Sequence, residues 1–388
     1  MHDVAVVGAG MVGASLALRL AHEGFDVALI ESREPPLWNA NDEVDLRVVA
    51  IAPSSVDFLN RTGAWNAIAS SRASPYRMMR VWDSIAPGEL TFDAADRGEA
   101  SLGYIVENRL IQSVLWQELQ RARIALRVPA KVEATESNAD RRALTLDDGT
   151  TLNARIVVAA DGAESMLRDL LRIDTNTRDY GQRAIVAHVK TERAHESTAW
   201  QRFLPNATLA FLPLADGRAS IVWSVPTNEA ERLLALDDAA FCRELGTAFD
   251  FRLGAIEATT KRAAVPLRMR LAKSYIAPRF VLIGDAAHVV HPLAGQGVNL
   301  GLRDAVELAD ILIDARDAKR DFAAEHILRR YERRRRSDDT LSAYAFDTIQ
   351  RVFGSDFPPL AALRGAGLAI ADCIAPFRRQ LARHAAGR

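Results

Sequence analysis

The chain has 388 residues, of which 49% are hydrophobic and 26% charged, and a formal net charge of −1. This is material for one large or two ordinary domains, and a charge so balanced sets up no global field to recruit nucleic acid. Two cysteines, Cys242 and Cys373, form no CxxC pair, which excludes a disulfide framework and argues against structural zinc or iron–sulfur chemistry.

No apolar run reaches the roughly 18 residues of a membrane span. With a first strand starting at Val4 no signal peptide is expected, and a cytoplasmic protein is. Val4-Ala5-Val6-Val7 and the following Gly8-Ala9-Gly10-Met11-Val12-Gly13 predict strand, tight turn and helix. Gly8 permits the turn, Gly10 lets the backbone approach a pyrophosphate, and Gly13 lets the helix pack close on the strand. Leu16, Leu18, Leu20 and Ala21 carry that helix and Gly24 ends it. A second strand, Asp26 to Ile30, delivers Glu31, 18 residues beyond Gly13, where an acid hydrogen-bonds an adenosine ribose.

A loop with Pro35-Pro36 and Asp45-Leu46-Arg47 leads to a helix from Pro53 to about Leu59. Short strands and turns fill 76–104, and Leu110, Ile111, Val114, Leu115 and Leu119 fit a helix from Asn108 to Ala122. A strand near 125–132, a hairpin around Asp147-Asp148-Gly149 and a buried strand Ile156–Ala160 come next. Residues 184–225 switch to period two: Ala219, Ile221, Trp223 and Val225 share a face, and Asp216-Gly217 turns that strand back on Thr208–Leu214. Residues 281–316 return to strand, loop and helix, and the chain from Ala323 onward reads as mostly helical.

Two further segments sit at predicted strand ends. Asp161-Gly162 follows the buried strand, and Gly284-Asp285-Ala286-Ala287-His288 follows Val281-Leu282-Ile283. Asp285 leaves its strand where a carboxylate can accept hydrogen bonds from a ribityl chain. The turn Gly295-Gln296-Gly297 starts a helix through Leu302, Val306, Ala309 and Leu312, whose positive N-terminal end would face a flavin's pyrimidine edge.

On these motifs, with Glu107-Asn108-Arg109 and Gly295-Gln296-Gly297-Val298-Asn299-Leu300-Gly301, the sequence resembles the class A flavoprotein aromatic hydroxylases over essentially its full length. It is most similar to their ubiquinone-biosynthesis group, which Trp200-Gln201-Arg202-Phe203-Leu204-Pro205 also resembles. The resemblance implies an α/β fold: a Rossmann-like FAD-binding domain, an inserted antiparallel-sheet substrate domain and a helical C-terminus. Residues 1–75, 105–175 and 281–325 would form the first, 76–104 and 176–280 the second, and 326–388 the third.

It also implies tightly bound, non-covalent FAD. Glu31 would bind its ribose, and Arg47 and Arg109 would lie along its phosphates and ribityl chain. Asp161 and Gly162 would serve both FAD and a transient NAD(P)H, and Gly284-Asp285 would hold the ribityl. Pro292, Gly295, Gln296, Gly297 and Asn299 would line the isoalloxazine. The implied reaction uses NAD(P)H and molecular oxygen, through a flavin 4a-hydroperoxide, to hydroxylate the ring of a polyprenyl phenol or quinol precursor of ubiquinone. Such an intermediate needs a dry site, so the protein supplies position and desolvation, and no residue stands out as a general base. Thr208–Leu214 and Arg218–Val225 are expected to wall an apolar cavity for the substrate.

A ubiquinone-biosynthesis complex or a peripheral contact at the inner membrane face is the partner this implies. Competing readings are an FAD-holding assembly subunit and a prenyl-chain reductase; a halogenase is disfavoured because no two tryptophans stand two apart. His288 and His291 have no cysteine or carboxylate cluster beside them apart from Asp285, which the ribityl claims, so no metal is expected and His288 reads as a loop residue near the flavin. The run Arg329–Arg336 reads as a solvated helix face. The apolar stripe Leu360, Leu363, Gly367, Ile370, Ile374 reads as core packing, with a lipid contact as the sharper alternative.

Overall fold

The computed structural model describes residues 1–85, 88–290 and 297–354. The stripe from Leu360 to Ile374 lies outside them, as do Pro292, Gly295, Gln296 and His291.

Parallel strands Phe280–Leu282, Thr151–Ala159, His2–Val7, Val27–Ile30 and Ile124–Arg127 lie side by side in that order. Their central stretches, Val4–Val7, Val27–Ile30, Ile156–Ala159 and Phe280–Leu282, are apolar without alternation, as a parallel sheet covered on both faces requires; Val4, Val6, Val27, Leu29, Val157 and Val158 are wholly buried. Helices Met11–His22, Asn108–Arg121 and Gly297–Asp317 share this core.

Two expectations change in detail. The hairpin and the buried strand are one element: Thr151–Ala159 pairs antiparallel with Arg142–Leu146 at its start, then runs on into the parallel ladder. The expected strand near 125–132 ends at Arg127, before Pro129, which has no N–H for a ladder; a separate strand begins at Val132.

The second sheet is antiparallel apart from one parallel pair, Thr198–Leu204 with Met78–Asp83, and is built around the long strand Thr175–Thr191. The turn at Asp216-Gly217 pairs Pro213 with Ala219, as the period-two pattern predicts. Ala219, Ile221, Trp223 and Val225 pack beneath helices Thr227–Ala235 and Asp238–Ala248. On the opposite face, Ala199, Leu212, Leu214 and Val222 meet a small sheet made of Val48–Ile51, Gly103–Glu107 and Ser74–Tyr76. The strands expected to wall an apolar cavity for the substrate are thus buried on both faces.

The two large sheets are joined by Phe280–Val289. Phe280–Leu282 belongs to the parallel layer, and only six residues later His288–Val289 pairs with Leu271 and Arg270 of the antiparallel sheet.

The glycine turn after His2–Val7 separates packing from binding. A Cβ on Gly8, which has φ +105°, would lie 2.3 Å from the Ala160 carbonyl oxygen, and one on Gly13 would lie 2.0 Å from the Gly8 oxygen. A Cβ on Gly10 would meet nothing within 4 Å. Gly13→Ala should therefore destabilise the fold by at least about 3 kcal/mol, a backbone clash that no rotamer relieves. Gly10→Ala should unfold in urea close to the wild-type midpoint.

Candidate functional site

The turn at Gly8, the pair Asp161-Gly162 and the pair Gly284-Asp285 leave the C-terminal ends of three adjacent parallel strands. In open α/β sheets this edge is where ligands bind. Glu31 leaves the next strand and reaches back: its Oε2 accepts the Ala9 N–H at 2.7 Å, and its Oε1 accepts the Ser32 hydroxyl at 2.9 Å. The helix Met11–His22 has no side-chain cap and no acid in its first turn, so the N–H groups of its first turn stay open toward the glycine turn.

Asp285 is open to solvent, yet it sits low enough among protein atoms that burial raises its carboxyl above the usual range, opposed by His288 and Arg47. No hydrogen bond among the described residues uses that carboxylate. Asp161 Oδ2 accepts the Leu167 N–H at 3.2 Å, while its Oδ1 is buried without a partner. Burial raises the Asp161 carboxyl, with Ser165 and Leu167 opposing. Gly162, at φ +84°, supplies the left-handed turn beside it.

Arg47 and Arg109 are brought together through Asp45, whose Oδ1 and Oδ2 accept their backbone N–H groups at 3.2 Å each. Asp45 is itself held by buried Glu107, whose Oε2 accepts its N–H at 2.6 Å and whose other oxygen takes the Trp38 indole N–H at 3.2 Å. Arg47 is exposed, and among the described residues the Arg109 side chain makes only a loose pair with Asp42 at 3.8 Å. Both guanidinium groups are thus free to turn toward the cleft.

Gly297 is the first residue of the helix Gly297–Asp317. Asn299 corrects an expectation. Its side chain is 1% exposed and fully used: Oδ1 accepts the Ala52 N–H at 2.9 Å and the Ser55 hydroxyl at 2.8 Å, and Nδ2 donates to the Ala50 oxygen at 2.7 Å. The amide clamps the helix start to the strand Val48–Ile51, leaving only its backbone to face a ligand.

Sequence reasoning missed the groups that hold the turns. Buried Arg168 donates to the Ala163 oxygen at 3.0 Å and the Ala286 oxygen at 3.2 Å, linking the segments that follow Asp161-Gly162 and Gly284-Asp285. Arg270 adds a bond to the Ala163 oxygen and another to Glu164 at 3.1 Å.

His288 is not a loop residue facing a ligand. It is 2% exposed, and its Nε2 lies 2.6 Å from Asp304, which also bonds Arg335 at 2.7 Å. Arg335 therefore departs from the solvated face expected for its run, being 4% exposed among neighbours that are open to water. The missed signal is spacing: Leu328, Tyr331, Arg335 and Asp339 fall on one face of the helix Glu325–Gly354, and all four are buried. His288, Asp304 and Asp339 lie close enough to ligate a cation, but the Arg335 guanidinium already bonds both carboxylates.

Burial opposes the charged form of His288, but Asp339 and Asp304 outweigh it and raise its pKa from 6.5 to about 9. A group whose pKa rises on folding contributes its full stabilisation below the unfolded value and loses it as pH climbs through the folded one. The melting temperature should therefore decline between pH 6.5 and about 9. His288→Gln should flatten that decline, and an unchanged slope in the variant would show that another group carries it.

Comparison with known proteins agrees with this geometry. The FAD binding domain family model matches residues 1–340. The chain is 37% identical over 386 residues to 3-demethoxyubiquinol 3-hydroxylase of Escherichia coli strain K12, covering 99% of this chain and 98% of that protein. It is also 37% identical to the ubiquinone hydroxylase UbiL of Rhodospirillum rubrum, covering 99% and 89%. Against the human mitochondrial ubiquinone biosynthesis monooxygenase COQ6 it is 31% identical over 430 residues, covering 98% and 92%. The solved Pseudomonas aeruginosa PqsL, in complex with 2-aminobenzoylacetate, superposes with TM-score 0.77 at 24% identity, covering 93% and 98%. Klebsiella pneumoniae HpxO complexed with FAD and uric acid does so with TM-score 0.74 at 18% identity, covering 99% and 96%; both show the fold alone. The chain belongs to the FAD binding domain family and, within it, to the FAD-dependent aromatic hydroxylases of the ubiquinone-biosynthesis group.

Proposed function

We propose that the protein hydroxylates the aromatic ring of a polyprenylated ubiquinone precursor, with NAD(P)H as transient reductant and molecular oxygen as co-substrate. The observation that carries the cofactor assignment is the set of unspent groups at one sheet edge. Among the described residues the Met11–His22 helix end has no side-chain cap, a Cβ on Gly10 would meet nothing within 4 Å, Asp161 Oδ1 has no hydrogen-bond partner and the Asp285 carboxylate takes no hydrogen bond. These fit the polar half of FAD and its chain of hydroxyls.

In this reading the uncapped N–H groups and Gly10 receive the pyrophosphate, and Glu31 takes the adenosine ribose. Arg47 and Arg109 flank the phosphates, Asp161 and Gly162 serve FAD and the arriving reductant, and Asp285 accepts from a ribityl hydroxyl. Gly297 and the Asn299 backbone face the ring system. Bound FAD supplies the passage of two electrons from NAD(P)H to oxygen and the transfer of one oxygen atom to the ring. The chain's own contribution is to orient the cofactor and exclude water. Apolar Met269, Leu271, Val290 and Leu300 bury one another where strand Ala263–Ala272 meets the start of the helix Gly297–Asp317, sealing that edge.

The substrate class is proposed from the relatives. No helix among the described residues is long and apolar enough to cross a membrane. Access to a lipid-soluble substrate would instead run through a partner complex or a peripheral membrane contact. The glycine turn is one nucleotide site and is given to FAD, so NAD(P)H would bind and leave without a resident site of its own.

Asp285→Ala should weaken FAD by roughly 10–150-fold, the worth of a charge-assisted hydrogen bond, as measured by titrating apoprotein with FAD. Flavin content that survives repeated gel filtration unchanged would remove Asp285 from the site. For the reaction, a prenylated phenol should stimulate NAD(P)H oxidation and appear as a hydroxylated product only in air. Because each buried CH₂ contributes about 0.8 kcal/mol, tail-free phenols should bind orders of magnitude more weakly or divert oxygen to peroxide. Equal efficiency on a small soluble phenol would contradict the substrate class, and product formation without oxygen would replace hydroxylation by reduction.

A further inference from the structure

We propose that Asp304, Arg335 and Asp339 are positioning residues for FAD: through them the helix Glu325–Gly354 fixes the turn that presents Asp285. The inference rests on the FAD site described above and extends it to a helix that carries none of the residues assigned to FAD.

The Asp304 carboxylate is the joint. Its Oδ2 accepts two donors from the turn, the Gly284 N–H at 2.8 Å and the His288 Nε2 at 2.6 Å. Its Oδ1 accepts Arg335 Nε at 2.7 Å, and Arg335 Nη2 continues to Asp339 Oδ1 at 2.5 Å. The second Asp339 oxygen lies 3.4 Å from His288 Nε2, which closes the ring. Two carboxyl groups thus face a guanidinium and an imidazole, with every side chain 5% exposed or less.

The same helix holds the approach to the turn, because the Tyr331 hydroxyl donates to the carbonyl of Leu282, the last residue of the strand leading in, at 3.0 Å. Gly284 itself sits at φ +60°, beneath a Gly301 whose Cβ would lie 2.7 Å from Val12. The backbone that carries Asp285 is therefore gripped before it by Tyr331, at its bend by Asp304 and after it by His288.

Apolar residues of similar volume can stabilise a core as well as buried ion pairs do. What they lack is direction: only an acceptor at the Asp304 position can hold the Gly284 N–H and the His288 ring together. That is why the cluster is assigned a positional role toward Asp285 and not a general stabilising one.

The test uses apoprotein of the full chain reconstituted with FAD, measuring FAD affinity, the midpoint potential of the bound flavin and the melting temperature of the apoprotein. Asp304→Asn keeps the shape but turns an amide N–H₂ toward Arg335 or toward the donors of the turn. It should raise the FAD dissociation constant by at least about tenfold and shift the potential. The paired variant Arg335→Met with Asp339→Leu removes one charge of each sign and leaves the Asp304–His288 pair intact. It should melt near wild type yet bind FAD more weakly, and either single substitution should be worse than the pair, because a single change strands a buried charge. If Asp304→Asn does not fold, the pair decides. A folded pair variant with wild-type FAD affinity and potential would overturn the proposal. Wild-type apoprotein that takes up no FAD would overturn the cofactor assignment on which it rests.

Discussion

The structure turns on the short connection that leaves the parallel sheet at Leu282 and joins the antiparallel sheet at His288. Within six residues the backbone must leave one ladder, bend through Gly284, present Asp285 and enter a second ladder. A bend so tight leaves N–H groups that no strand can satisfy, and buried donors without acceptors cost free energy. The Asp304 carboxylate accepts the Gly284 N–H and, with it, the His288 ring. Burying that carboxylate in turn requires cations, which His288 and Arg335 provide. Binding geometry, sheet connection and charge balance are consequences of one constraint.

The same economy recurs on the other side of the cleft. Glu107 and Asp45 are acids that hold backbone N–H groups and leave two arginine side chains free to act, and Arg168 does the converse with carbonyls at the other two turns. Apart from Glu31, whose oxygens already accept from Ala9 and Ser32, the groups assigned to FAD are mainly those left over after such internal bonding. A rigid frame with unspent polar groups at one edge reduces the ordering that a cofactor must impose when it binds.

Much of this was legible in the sequence, and the reason is local. A glycine turn is dictated by clashes within a few residues, and Gly8 and Gly13 announce it because their hydrogens touch neighbouring backbone. Alternation in Ala219–Val225 states the sheet face directly. What stayed hidden depends on partners far along the chain. Arg335 reads like its solvated neighbours until Asp304, 31 residues away, is seen beneath it. Asn299 stands in a motif associated with flavin, but its amide is spent on Ala52, 247 residues distant. The covered strands Ala207–Pro213 and Ala219–Pro226 show the same limit, since periodicity reveals a buried face but not what lies on the other.

Amide hydrogen exchange measured on apoprotein and on the FAD-bound protein tests the central claim most directly, because it separates a frame built in advance from one built by the cofactor. The account predicts that the Gly284 and Ala287 amides, bonded to Asp304 and to the Gly284 carbonyl, are already protected without FAD. Adding FAD should slow exchange chiefly at the first turn of Met11–His22, the face left uncapped in the fold. Rapid exchange at Gly284 in the apoprotein, with protection gained only when FAD binds, would contradict it.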